Sequence, residues 1–186
     1  MSRKYKFHKP EAAYFISFAT VNWVDLFTRE IYFSILADAI DYCRKHKGME
    51  LFAYCFMPNH VHMIFRSKHE DPSGFIRDFK SYTSKQLVEA IQSNPRESRK
   101  EFLLEMFSKA AKEKSNGKNY QLWQHHNKPI ELYSEHVTQQ KFNYIHMNPV
   151  KEGLVTSAVE WKYSSARNYS GDQTVLEIDL IGITEE

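Results

Sequence analysis

The chain has 186 residues, 42% hydrophobic and 26% charged, a length and balance that fit one soluble domain with a sizeable core. No run of about 18 apolar residues is present, which argues against a helical membrane span, and the start MSRKYKFHKP lacks the apolar stretch of a secretory signal, so a cytoplasmic, nucleoid-associated protein is expected. Formal net charge is only +2, unevenly spread: residues 172–186 hold five acids and no Lys or Arg, which leaves about +7 on the rest.

In chain order, AYFISFATV (13–21) is aromatic and β-branched and predicts a strand. Ile31, Ile35, Leu36, Ala39, Ile40 and Cys43 fall close to helical spacing over 29–46, and Gly48 marks the exit. LFAYCFM (51–57) predicts a second strand, Pro58-Asn59 a turn, and HVHMIF (60–65) a third strand antiparallel to the second. Asp71-Pro72-Ser73 opens a helix over 74–92, ended by Asn94-Pro95. A further helix is expected over 97–113, then a loop at 114–119 and short extended pieces in YQLWQ and KPIELY. The last long helix runs from about Glu135 to Met147, because the residue before Pro149 is biased out of the helical basin. The order implies an α+β fold, a small antiparallel sheet with helices on one face and the other face open to a partner. Cys43 and Cys55 make no disulfide framework and suit a reducing compartment.

His60 and His62 lie two apart on a strand, so both imidazoles share one face while Val61 and Met63 take the other. Two imidazoles suit a divalent ion that takes a third ligand from elsewhere; the plain alternative is a half-buried pair with local hydrogen bonds. On the 135–147 helix, Phe142 and Ile145 form the buried stripe and Tyr144 points away from it, with Gln140 and Asn148 four residues to either side. Asn148 reads as a carboxamide ligand or as a C-cap before Pro149, and Tyr144 as a nucleophile or an ordinary aromatic. A metal ion that polarises a phosphodiester, beside a tyrosine that attacks it, would cleave a strand and conserve the bond energy in a phosphotyrosine. No nucleotide-triphosphate motif appears, which is consistent with energy-neutral exchange.

MPNHVHMIF, then YIHMNPVKEGLV, then WKYSSARNY together resemble the IS200-like transposases of the HUH, single-tyrosine type, nearest the REP-associated tyrosine transposases, over about residues 5–170. The resemblance implies a ferredoxin-like or RRM-like α+β domain over 1–171, with a basic helical insertion at 94–120 and an acidic tail at 172–186. It implies that His60 and His62 bind Mg²⁺ or Mn²⁺, with Asn148 as third ligand and His146 as a rival. It also implies that Tyr144 forms a 5′-phosphotyrosine on single-stranded DNA beside a hairpin. Homodimer and monomer both occur in the family. Charge suggests Arg3, Lys4 and Lys6, and Arg77 and Lys80 on the 74–92 helix, as DNA contacts; Trp123 reads as a base-stacking residue or a core filler. The alternative function is a non-catalytic binder of hairpin DNA or RNA.

Overall fold

The computed structural model describes residues 7–113 and 119–181. Four strands, β1 (Tyr14–Ala19), β2 (Met49–Phe56), β3 (His60–Ser67) and β4 (Ile130–Glu131), form one antiparallel sheet in the order β2-β3-β1-β4. The long helices are α1 (Glu30–Lys47), α2 (Pro72–Ser93), α3 (Lys100–Lys112) and α4 (Glu135–Lys151), followed by the short α5 (Ala166–Ser170). This is the expected α+β arrangement, with β1 and β3 central.

Strand alternation divides the interior. Ile16, Phe18, Tyr54, Phe56, Val61, Met63 and Phe65 face α1 and α2 and are buried with Leu36, Ile40, Phe79 and Ile91. Phe15, Ala53, Cys55 and Ile64 face the other way and pack against Phe142 and Ile145 of α4. The expected helical face is present, and α4 adds a partial layer over β2 and β3 on the second face. At the His60 end of the sheet, α4 residues Tyr144 and Asn148 and strand residues Phe15, His60 and His62 border a cavity.

The ends of the elements have local causes. Gly48 ends α1 at φ 71°, a left-handed position that glycine adopts without a Cβ penalty. The Asp71 carboxylate accepts a 2.8 Å hydrogen bond from the Gly74 N–H and caps α2 behind Pro72. The Ser134 hydroxyl accepts from Val137 N–H at the start of α4. At its other end α4 departs from expectation: it continues through Pro149 to Lys151 instead of stopping at Met147. Pro149 lies in the last turn, where its missing donor costs one hydrogen bond, and the Asn148 carbonyl still accepts from Glu152 N–H at 3.0 Å. Asn148 is therefore a helical residue and not a cap.

The 94–120 stretch is joined to the body by charge. Glu97 is buried, accepts from Tyr32 Oη at 2.9 Å and from Arg29 Nε at 3.1 Å, and pairs with Arg99. Burial pushes its carboxyl upward, but hydrogen bonds from Arg99, Tyr32 and Arg29 outweigh it and hold the pKa down to about 2. Residues 172–181 of the acidic segment pack back: Leu176 is buried, and Asp179 accepts from Leu51 N–H at 2.9 Å beside Arg44.

Candidate active site

β3 pairs with β1 so that His62 lies opposite Ser17 and His60 opposite Ala19; across the hairpin Cys55 lies opposite His62. The turn that delivers His60 is fixed from outside, because Thr20 N–H donates to Asn59 O at 2.9 Å and Phe27 N–H to Pro58 O at 2.8 Å. The two imidazoles stand edge to face, 4.6 Å between ring centres.

His62 is 2% exposed, and neither ring nitrogen has a hydrogen-bond partner among the described residues. A buried polar group left in that state costs about 1–3 kcal/mol, so the unpartnered nitrogens need an explanation. Burial, with His60 as a second cause, pushes the His62 pKa down to about 3 and keeps the ring neutral, the form that ligates metal. Its face stacks on Phe15 at 5.7 Å between ring centres.

His60 has two oxygen neighbours. Nδ1 lies 2.6 Å from Asn59 Oδ1 and Nε2 lies 3.2 Å from Asn148 Oδ1. Burial lowers the His60 pKa as well, and a neutral ring carries one proton. Asn59 is oriented by its own donation to Asp25, 2.7 Å, so the His60 proton sits on Nδ1. Nε2 then presents a lone pair toward Asn148. Either the carboxamide turns its NH₂ to that lone pair or a cation lies between two acceptors.

α4 brings the third and fourth groups. Tyr144 is 38% exposed, with its ring 5.1 Å from His62 and 5.8 Å from Phe15 between centres. Asn148 follows four residues on along the same helical face and Glu152 just past the end of α4, and all three line one open cavity of about 460 Å³ with His60 and His62. Lys141 and Lys151 lie 5.9 Å and 5.7 Å from the Tyr144 ring centre, so positive charge stands beside the hydroxyl's ring. His146 is elsewhere: its Nε2 lies 2.9 Å from Ser165 Oγ, and burial pushes its pKa down to about 4. Of the two candidate third ligands, only Asn148 is at the site.

The donor set is two neutral imidazoles and a carboxamide oxygen. Among the described residues no cluster holds three or more His, Cys, Asp or Glu. The set fits a divalent ion that takes remaining ligands from water and an anionic substrate, with Glu152 the nearest carboxylate on the wall.

The remaining sequence-derived contacts fare differently. Arg77 is exposed and paired with Asp78 at 2.9 Å. Lys80 donates to Gln124 O at 2.8 Å and to Asn127 Oδ1, with its ammonium over the Phe18 ring, so its charge is directed inward and not at a phosphate. Trp123 is 4% exposed, stacks on Phe27, meets Phe18 edge-on and donates to Thr83 Oγ1 at 2.9 Å. The core covers the indole, which corrects the base-stacking reading in favour of the core filler. Arg3, Lys4 and Lys6 lie outside the described residues. Phe15, Trp23, Lys128, Lys141 and Glu152 line the cavity but were not singled out from sequence. For Lys141 the signal was available, three residues before Tyr144 on one helix; for Glu152 it was not, because the expected helix ended at Met147.

No helix among the described residues is long and apolar enough to cross a membrane. No curated protein matches the chain. Among solved structures, a REP-associated tyrosine transposase bound to a REP hairpin superposes with a TM-score of 0.65 at 20% identity, covering 99% of this chain and 96% of that one. A crystal structure from Deinococcus radiodurans R1, provisionally assigned as a transposase, reaches a TM-score of 0.46 at 18% identity, covering 78% of this chain and 94% of that one. The family described as "Transposase IS200 like" matches residues 10–120, a stretch that includes His60 and His62 and ends before Tyr144. That match spans more than half of the sequence, and the chain belongs to the IS200-like transposase family.

Proposed function

We propose that the protein is a metal-dependent single-stranded DNA endonuclease and strand transferase that acts beside hairpins, with Tyr144 as nucleophile. The observation that carries the reading is the pair of unpartnered, buried nitrogens on His62, 5.1 Å in ring separation from a half-exposed tyrosine. Hairpin DNA is proposed as substrate because the structural relative was solved with one bound, and because Lys128, Lys141 and Lys151 surround the cavity mouth with positive charge.

His60, His62 and Asn148 would hold Mg²⁺ or Mn²⁺. When bound, such an ion supplies a Lewis acid that withdraws charge from a non-bridging phosphate oxygen. The chain's own groups do the rest. The Tyr144 oxygen attacks phosphorus; the Tyr144 O–P bond forms as the P–O3′ bond breaks. The phenol proton leaves to solvent and the departing 3′ oxygen takes one up, so the products are a 5′-phosphotyrosine and a free 3′-OH. Lys141 and Lys151 offset charge on the phosphate as it passes beside the ring. Packing of Phe142 and Ile145 fixes the helix that aims Tyr144, and Phe15 covers the inner side of the cavity. The 3′-OH can later attack the same phosphorus, which regenerates the phenol and joins strands without a nucleoside triphosphate.

The test is incubation with a panel of hairpin oligonucleotides carrying unpaired flanks, with Mn²⁺ or with chelator, followed by denaturing electrophoresis. A covalent protein–DNA band that needs the cation is expected. Hairpin binding with no cleavage under any condition would favour the binding-only alternative.

A further inference from the structure

The cavity at His60 does not end at Tyr144. Trp23 lines it and also lines a second hollow of about 470 Å³, bounded by Met106 and Lys109 of α3 and by residues 124–126. Gln124 and His125 line that second hollow and also a third, of about 570 Å³, along α2. Shared lining residues thus join three hollows into a run that leads away from Tyr144, with Trp23 at the junction of the first two.

Trp23 is an unusual residue to find there. It is 53% exposed, whereas Trp123 is sealed in the core. Its ring meets His60 edge-on at 5.6 Å between centres. Its backbone is also strained: Asn22 and Trp23 both have φ 55°, a left-handed conformation that is a genuine outlier for a bulky side chain. The turn is clamped at both ends, with Thr20 Oγ1 donating to Val24 O at 2.8 Å and Val21 N–H to Leu122 O at 2.8 Å. Lys128, on the wall of the first hollow, is also left-handed at φ 42°. Among the described residues four non-glycines have positive φ; two of them, Trp23 and Lys128, line this cavity, and a third, Asn22, lines the second hollow. The strain turns the indole outward, away from a core that already holds one tryptophan.

A flat aromatic face with cations on either side, Lys128 and Lys141 in the first hollow and Lys109 in the second, matches the chemistry of an unpaired nucleotide: the base stacks while the phosphates follow the positive charge. None of these three lysines is in an ion pair among the described residues. A base within a duplex has both faces occupied and cannot use such a platform. We propose that Trp23 stacks on an unpaired base of the cleaved strand, on the His60 side of the phosphate that Tyr144 attacks, and so sets which phosphate enters the site. The proposal rests on the cleavage reading above.

The experiment uses a fluorescent hairpin oligonucleotide that forms the adduct, its unpaired flanks carrying single abasic sites one position at a time. Affinity is measured in the Tyr144→Phe background, and adduct yield at saturating DNA is measured with Tyr144 intact. Trp23→Ala should weaken binding by roughly 5- to 100-fold, and Trp23→Phe should restore most of it. At one position near the scissile phosphate the abasic oligonucleotide should bind wild-type and Trp23→Ala proteins alike, and Trp23→Ala should still form adduct when saturated. Unchanged affinity in Trp23→Ala, or a loss that is the same at every abasic position, would overturn the proposal while adduct formation leaves the parent reading intact. Absence of adduct from the protein with Tyr144 and Trp23 both intact, on every hairpin, would instead remove the parent reading and this proposal with it.

Discussion

The two faces of the sheet are built from the same strands and solve opposite problems. Toward α1 and α2, Val61 and Met63 join a continuous apolar core in which side chains are almost wholly excluded from water. Toward the cavity, their neighbours His60 and His62 are nearly as buried, and among the described residues His62 finds no partner for either ring nitrogen. One strand, read at a period of two, therefore spends alternate residues on stability and on a site that is unsatisfied as it stands. The difference teaches that burial alone does not separate structure from function; the satisfaction of buried polar atoms does.

The sharpest way to break this comparison acts on the reacting group. Tyr144→Phe removes one oxygen from a half-exposed ring whose hydroxyl makes no hydrogen bond among the described residues. Covalent adduct on a hairpin oligonucleotide should fall to background, while the thermal midpoint moves by less than about 0.5 kcal/mol equivalent, as for an ordinary exposed position. Retained adduct would exclude Tyr144 as nucleophile.

Substitutions one residue apart test the two faces directly. Met63→Ala empties a fully buried position of the main core and should cost about 2–5 kcal/mol in denaturant unfolding. His62→Ala removes a buried ring that already lacks partners, so it should cost clearly less while abolishing Mn²⁺ binding by calorimetry. Equal destabilisation by the two, with metal binding intact in His62→Ala, would make His62 a core residue and collapse the distinction. A milder version concerns Asn148. Asn148→Ala should weaken Mn²⁺ on the order of 10- to 100-fold, and Asn148→Asp should tighten it by adding a charged ligand. Unchanged Mn²⁺ affinity in both would place Asn148 outside the metal's ligands.

Much of the fold and part of the site were legible because they depend on local periodicity. The His60–His62 pair, the Phe142–Ile145 stripe and the Tyr144 direction follow from strand and helix repeats, and the structure places them accordingly. What escaped was set by long-range pairing or by packing. Helical continuation through Pro149 depends on a last turn that tolerates one missing donor, which local bias at Asn148 does not reveal. Trp123 reads as a polar-flanked aromatic, but its bridge to Thr20 carries it into the core; Trp23, next to that bridge, is turned out. No spacing rule distinguishes the two tryptophans, because the register of β1 and the left-handed turn after it decide their fates.

Lys80 shows the same limit in a charged residue and yields the smallest expected effect. On a helix wheel it reads as a surface cation near Arg77, yet its ammonium is turned toward Gln124, Asn127 and the Phe18 ring, and burial pushes its pKa from 10.5 down to about 7. The unfolded chain therefore holds this proton more tightly than the folded one. Below about pH 7 both states are protonated and the penalty is constant; as pH rises above that value the folded lysine loses its proton first and stability climbs. The climb is opposed at higher pH by Cys43 and Cys55, whose thiols burial pushes upward, because unfolding then releases protons. The clean window lies between about pH 7 and pH 8, where wild-type protein should gain about 1 kcal/mol. Lys80→Met should lower absolute stability through its unpaired acceptors but flatten that slope in urea titrations. The same slope in both proteins would mean that Lys80 stays charged and hydrated, and the surface-cation reading would then regain its place.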